Sequence, residues 1–372
     1  EWRNMSQRER ERFKIETPRL QKLCHETAQG QLRFTRKPVN VFPATHHQKM
    51  AVFDRETLYI GGLDLNERRY DTKRHGRAAS RTWQDVQAIA TGPVAQHAQT
   101  HVETFLDTVA DAAPPAPRTP GFIRTLSRRR RGIPVRLSPK TILREIEAHH
   151  MRAISRARHL IYLETQFLRH MPLARALAKR ARACPDLKLI VVLPAAPEDI
   201  AFDRSDSLDV RFGEHQQTRS ITRLQRAFGP ERFLVASPVQ PREKDSNARD
   251  TLDHSPLVYV HTKVSIFDDF GAIVSSANLN GRSMKWDTET GLYLDDAEHI
   301  AQVRQRVMGH WLPKDLGQEY LSPKTAFEHW RELVETNSAL PPSKRHGFLV
   351  GYDSDVARDI ATPIPGMPQE MV

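Results

Sequence analysis

The chain has 372 residues, 39% of them hydrophobic, enough for a sizeable core in one large or two medium domains. No apolar run approaches the ~20 residues that span a bilayer as a helix. The net charge of +11 is carried mainly by arginine, which suits anionic partners: phosphoesters, anionic lipid surfaces or nucleic acid.

Residues 1–35 are polar and charged, and "SQRERERFKIETPRLQKLCHETA" has a helical pattern. Short runs rich in Val, Ile, Phe and Tyr follow, "VNVFP", "KMAVFD" and "TLYIGG", and read as strands, the last closed by Gly61-Gly62. "GPVAQHAQTHVETFLDTVADAA" keeps apolar residues at helical spacing after Gly92-Pro93. Residues 113–138 are Pro-rich and carry four arginines from Arg128 to Arg131, so they read as a linker or loop with a solvated charge run.

A helix is expected over 139–157, a strand at "HLIYLE" and a helix over 171–184. "LKLIVVLP" is continuously apolar and β-branched, the pattern of a buried strand. A helix around 217–228 precedes strands at "RFLVAS", "LVYVHTKVSIFD", "GAIVSS" and "ETGLYL", and a helix over 296–311 closes the unit. Alternating strands and helices predict an α/β fold with a largely parallel or mixed sheet. The last sixty residues are polar, contain proline and carry no recognisable role. Cys24 and Cys184 have neither zinc-ligand spacing nor a disulfide framework and read as ordinary thiols.

One pattern occurs twice. "HHQKMAVFD" contains His47, Lys49 and Asp54; "HTKVSIFDD" contains His261, Lys263 and Asp268. Each is followed, after six residues, by a matched tetrad, "GGLD" at 61–64 and "SSAN" at 275–278. A single His-x-Lys-x4-Asp match is expected by chance about 0.04 times in such a composition, so two in one register mark a duplicated unit. In an extended strand, residues i and i+2 face the same way, so each half presents an imidazole beside an ammonium.

Two half-sites meeting at a dyad would bring together two His, two Lys, Asp64 and Asn278. Phosphodiester cleavage needs those roles: a nucleophile, positive charge for the phosphate oxygens, and an acid for a poor alkoxide leaving group. The lysines supply the charge, so no cofactor and no metal is called for. A working His is usually oriented by an acid on its other ring nitrogen. Asp85 and Glu289 occupy similar positions after the two motifs, with Asp287 as a competitor in the second half.

These residues resemble the phospholipase D superfamily, whose mark is two HxKxxxxD motifs with Gly/Ser-rich turns. The enzymes proper are the closer match, on "HHQK", "GGLDL", "WQDVQAIATGP", "YLETQF" and "SSANLNGRS", spread from about residue 40 to 310. The resemblance implies a monomeric, duplicated α/β/α/β/α sandwich with pseudo-twofold symmetry and its active site between the halves. It also implies a phosphohistidine intermediate without metal, with His47 as nucleophile, His261 as acid and base, and the two roles open to exchange. Lys49, Lys263, Asn278 and Asp64 would lie at the phosphate. All six motif residues are candidate catalytic residues, although Asp54 and Asp268 look more structural than chemical. Ser275 stands where the family usually has Gly, and Thr165 where it has Asn.

The expected organisation is a first repeat over 1–112, the linker over 113–138, a second repeat over 139–312 and an extension over 313–372. Residues 139–260 stand before the second motif His, but only 1–46 before the first. The first repeat is therefore expected to be truncated, with an exposed sheet edge. The expected activity is hydrolysis of the head-group phosphoester of a glycerophospholipid at a membrane surface, with possible transfer to an alcohol. Alternatives are a cardiolipin synthase-like phosphatidyltransferase and a superfamily nuclease. No nucleic-acid partner is expected, because basic residues interleaved with aromatics are absent. The expected state is soluble or peripheral at a membrane, with cytoplasm favoured.

Overall fold

A computed structural model describes residues 44–128, 138–203, 207–244 and 249–372, with short stretches at 6–7, 9–10, 24–26, 28 and 32–34. The expected strand "VNVFP" and most of the arginine run lie outside these residues. The chain divides into two compact units, 1–43 with 129–140, and 44–128 with 141–372. In the first, Cys24–Glu26 pairs antiparallel with Leu32–Phe34. This corrects the helical reading of that stretch at its C-terminal end.

The second unit holds both motifs. Its first half comprises β1 (Met50–Phe53), β2 (Thr57–Gly61), β3 (Gln87–Thr91), α1 (Pro93–Val109) and β4 (Phe122–Arg128). The strand β4 falls inside the expected linker. Six of its seven residues are buried, which the alternation of Phe122 and Ile123 with Arg124 and Leu126 concealed. Buried Arg124 is tolerable because its guanidinium meets Glu145 at 3.0 and 3.1 Å.

The second half runs through β5 (Lys140–Arg144), α2 (Glu145–Arg156), β6 (Leu160–Thr165), α3 (Met171–Ala183), β7 (Lys188–Val192), α4 (Leu208–Phe228), β8 (Phe233–Pro238), β9 (Lys263–Phe267), β10 (Gly271–Ser275), α5 (Gly281–Lys285), β11 (Glu289–Leu294) and α6 (Ala297–Trp311). The helix expected over 139–157 thus opens as a strand, and the one expected near 217 begins at Leu208. The polar extension is part of the fold. It adds α7 (Ala326–Ala339), β12 (Leu349–Gly351) and α8 (Ser354–Ile360), with β12 pairing antiparallel to β8.

Nine strands form one mixed sheet in the order β12-β8-β7-β6-β9-β10-β11-β4-β5. Strands β6, β7 and β8 are parallel, joined by helices, and β9 returns antiparallel beside β6. The period-2 alternation splits the core in two. Ile161, Leu163, Leu189 and Val191 point to one face, against Ile154 of α2, Leu177 of α3 and Leu224 of α4. Leu160, Tyr162, Ile190 and Val192 point to the other, against Trp311 of α6 and Trp330 of α7. Burial on both faces explains why β7 reads as an unbroken apolar run.

The strands β1, β2 and β3 form a separate antiparallel sheet, and Leu58 and Ile60 pack on Ala95 and Ala98 of α1. No strand pairs with the outer edge of β1 among the described residues.

The motif hairpin is duplicated residue by residue. Met50 faces Ile60 and Phe53 faces Thr57 in the first hairpin; Val264 faces Val274 and Phe267 faces Gly271 in the second. Every equivalent pair keeps the spacing of His47 to His261. Asp54 and Asp268, which leave β1 and β9, both take the left-handed backbone, with φ of 52° and 44°. Among the described residues no helix is long and apolar enough to cross a membrane.

Candidate active site

The halves are zipped together just before each motif. Tyr259–Val260 pairs in parallel with Trp83–Gln84, and His46 bridges in parallel to Thr288. The His261 N–H then donates to Gln84 O at 2.8 Å, and the His47 N–H to Thr288 O at 3.0 Å. The residues after Gln84 and Thr288 are Asp85 and Glu289, so each acid is delivered to the histidine of the opposite half. His47 Nδ1 faces Glu289 Oε1 at 2.9 Å, and His261 Nδ1 faces Asp85 Oδ2 at 2.6 Å. A carboxylate only accepts, so each Nδ1 carries the proton and each Nε2 is left for chemistry.

Lys49 and Lys263 repeat one another as well. Each ammonium donates to the carbonyl of its own motif histidine, Lys49 to His47 O at 2.9 Å and Lys263 to His261 O. Lys49 also meets Asp64 Oδ1 at 3.2 Å. Asn278, the counterpart of Asp64, is buried, and its Oδ1 has no hydrogen-bond partner among the described residues. That oxygen only accepts, so it is the Asn278 NH2 that can donate to a phosphate oxygen.

The turns explain how the acids fit. A Cβ on Gly62 would overlap the Asp85 carboxylate and touch Lys263 Cδ at 3.2 Å, so the first half requires glycine there. The equivalent Ser276 donates instead to Glu289 Oε2 at 2.5 Å. One turn makes room for its acid and the other binds it.

The two histidines differ in environment. The His47 side chain is 29% exposed and that of His261 is 5% exposed. Burial first, then the charges of Lys263, Lys49, Arg69 and His47, hold His261 well below the usual imidazole range. It is neutral in the resting site. Burial pushes Asp85 up to about 7 against the pull of Lys263, and pushes Lys263 down to about 7 against that of Asp85. A bound phosphate would favour the charged form of Lys263.

A pH dependence follows for Lys263. Its charge is lost as pH rises through about 7 in the free protein, so kcat/KM should fall above that pH. An anion held beside it favours the ammonium, so the falling limb of kcat should lie at higher pH. Coincident limbs in the two profiles would remove Lys263 from the phosphate site.

Other candidates lie elsewhere. The Asp268 carboxylate accepts from the N–H groups of Arg158, His159 and Leu160 at 2.7, 3.0 and 2.7 Å, tying the start of β6 to the turn after β9. Asp54 is exposed in the matching turn. The closing aspartates sit in the turns after the motif strands, at the ends away from the histidines. A strand carries residues five apart more than 15 Å from one another. Asp287 holds Arg282 in a two-pronged pair at 3.1 Å and accepts from Thr45 N at 2.8 Å, and does not touch a motif histidine. Thr165 turns its hydroxyl to Phe167 O at 3.0 Å. Ser275 faces Gly291 across the ladder, where a Cβ would lie 2.6 Å from that of Ser275.

Sequence reasoning missed Arg69, and gave no role to Trp83 and Ser276, which lie in the quoted motifs "WQDVQAIATGP" and "SSANLNGRS". The Arg69 guanidinium lies 3.6 Å from the Trp83 ring centroid, and Trp83 stands 5.3 Å from the His261 ring. These residues belong to the longer first-half segment between β2 and β3. The matching second-half segment is shorter, so the duplication does not reveal Arg69, whereas Ser276 is the counterpart of Gly62. Among the described residues no cluster of three or more His, Cys, Asp or Glu is placed to hold a metal ion.

The family described as "Cardiolipin synthase, PLD-like domain" matches residues 151–311. Phospholipase D beta 2 of Arabidopsis thaliana is 21% identical over 87% of this chain and 50% of its own length. Phospholipase D alpha 1 of Oryza sativa subsp. japonica is 24% identical over 87% of this chain and 56% of its own length. The chain belongs to the phospholipase D superfamily. It spans about half the length of these curated superfamily relatives. Among solved structures of the superfamily fold, phosphatidylserine synthase of Haemophilus influenzae superposes with a TM-score of 0.45 at 13% identity, over 71% of this chain and 61% of that one.

Proposed function

We propose that the protein is a phosphodiesterase that cleaves the head-group phosphoester of a glycerophospholipid through a phosphohistidine. The observation that carries this reading is the crossed pairing: two imidazoles with oriented Nε2 atoms, each backed by a buried acid, with Lys49 and Lys263 beside them. His47 Nε2, on the more exposed ring, attacks phosphorus. The head-group oxygen leaves with the proton of His261 Nε2. That ring is neutral at rest, lowered first by burial and then by the lysine charges; the bound phosphate offsets those charges, so Nε2 takes up a proton from solvent as substrate binds. His261 then takes a proton from water, which attacks phosphorus and releases His47 and phosphatidic acid. Lys49, Lys263 and the Asn278 amide steady the phosphate oxygens. Both half-sites lie in one chain, so the proposed working unit is a monomer, at a membrane surface and on the cytoplasmic side.

The test is partition. A covalent intermediate is common to all head groups, so whatever enters the vacated leaving-group space decides the product. With ethanol present, phosphatidylethanol and phosphatidic acid should form in a ratio set by the ethanol concentration and independent of the departing head group. A ratio that follows the head group, or no transfer product, would show direct attack by water. The match to a cardiolipin synthase family favours one second reading, in which the acceptor is a lipid alcohol. Phosphatidylglycerol as sole lipid would then yield a diphosphatidyl product in place of phosphatidic acid.

A further inference from the structure

Beside the catalytic residues opens a cleft of about 1040 Å³. One wall is the long first-half segment, including Asp64, Arg69, Lys73 and Arg74; the other is the end of α6 and the segment after it, including Arg306 and Lys314. Asp85 also lines it. Lys73, Arg74, Arg306 and Lys314 are exposed, and the structure places no ion-pair partner on them among the described residues. The acids that line the cleft are already engaged. Asp64 holds Lys49 at 3.2 Å, Asp71 holds His75 at 2.7 Å, and Asp85 holds His261 at 2.6 Å.

The aromatic rings here are engaged too. A quaternary ammonium is recognised by the open face of Trp or Tyr. Trp83 is 4% exposed and has the Arg69 guanidinium 3.6 Å from its centroid. Tyr70 carries the Arg77 guanidinium at 5.2 Å. A trimethylammonium entering this cleft would meet like charge where it needs a bare ring, and would bring no charge to the four exposed cations. An anionic head group would do the reverse.

We propose that the leaving head group carries its own phosphate or phosphodiester, held in this cleft by Arg69, Lys73, Arg74, Arg306 and Lys314. This rests on the phosphodiesterase reading and names its substrate class. The geometry supports it through asymmetry as well. The catalytic core is nearly twofold, but the cationic wall has no counterpart in the second half, where the segment between β10 and β11 is shorter. An asymmetric cleft lets a symmetric catalytic pair tell the head-group side of the phosphodiester from the diacylglycerol side.

The experiment compares kcat/KM for phosphatidylcholine, phosphatidylglycerol and a diphosphatidyl lipid, each at the same low mole fraction in neutral detergent micelles, with an oligonucleotide alongside. The lipid with the second phosphodiester should be preferred over phosphatidylcholine by about tenfold or more at low salt, and the preference should shrink as salt screens the cleft. The double variant Arg74→Glu/Arg306→Glu should lower that preference ratio about tenfold. Arg223→Glu/Arg226→Glu, which removes equal charge from a groove on α4, should leave the ratio within about twofold. Equal or better cleavage of phosphatidylcholine, or equal ratio changes in the two variants, overturns the head-group assignment and leaves the phosphodiesterase reading standing. Failure to cleave any lipid, with or without cleavage of the oligonucleotide, overturns both.

Discussion

Replacing either His47 or His261 with alanine should lower lipid cleavage by about 10³-fold or more, and the double variant should be little worse than the poorer single one. The crossed contacts are the reason. His47 is backed by Glu289 of the second half, and His261 by Asp85 of the first, so removing one ring disables a unit that the other cannot run alone. Steady-state release of head group is the direct measurement. Residual activity near half in each single variant would mean two independent sites. Losses that multiply in the double variant would mean two rings acting in separate steps without a shared intermediate.

Asp85→Asn and Glu289→Gln should each cost about 10²–10⁴-fold in kcat with a smaller change in KM. These acids act through the rings, as positioning residues. An amide can accept through its oxygen, but it can also turn its NH2 to Nδ1 and select the tautomer whose Nε2 carries the proton. Burial sharpens the penalty, since Glu289 is fully buried and Asp85 nearly so. A merely structural role would not predict which ring responds. Imidazole nitrogen shifts should move at His261 in Asp85→Asn and at His47 in Glu289→Gln. The opposite assignment would show that each acid serves its own half in solution.

Much of this was written in the chain. The two motifs announced themselves because catalysis needs particular residues at a particular spacing, and a strand with period two turns His and Lys to one side. Strands such as Lys188–Val192 were legible because burial on both faces demands unbroken apolar sequence. Asp85 and Glu289 could be named as acids from their positions after the motifs.

Which acid met which histidine could not be read, because that depends on parallel pairing between segments far apart: Tyr259–Val260 on Trp83–Gln84, and His46 on Thr288. Local sequence carries no record of a partner strand. The strand Phe122–Arg128 hid for a similar reason, since a buried Arg124 looks like a loop residue until Glu145 is seen against it. Asp54 and Asp268 shared the motif but were carried to the far ends of their strands. The cationic cleft needed the tertiary structure most. Arg74 and Arg306 are ordinary surface arginines in sequence, and only the packing of the first-half segment against the end of Ala297–Trp311 brings them to line one cleft beside the catalytic pair. Charge was therefore determined by the sequence, and its direction of action by the fold, because electrostatic recognition depends on where charges converge rather than on how many there are.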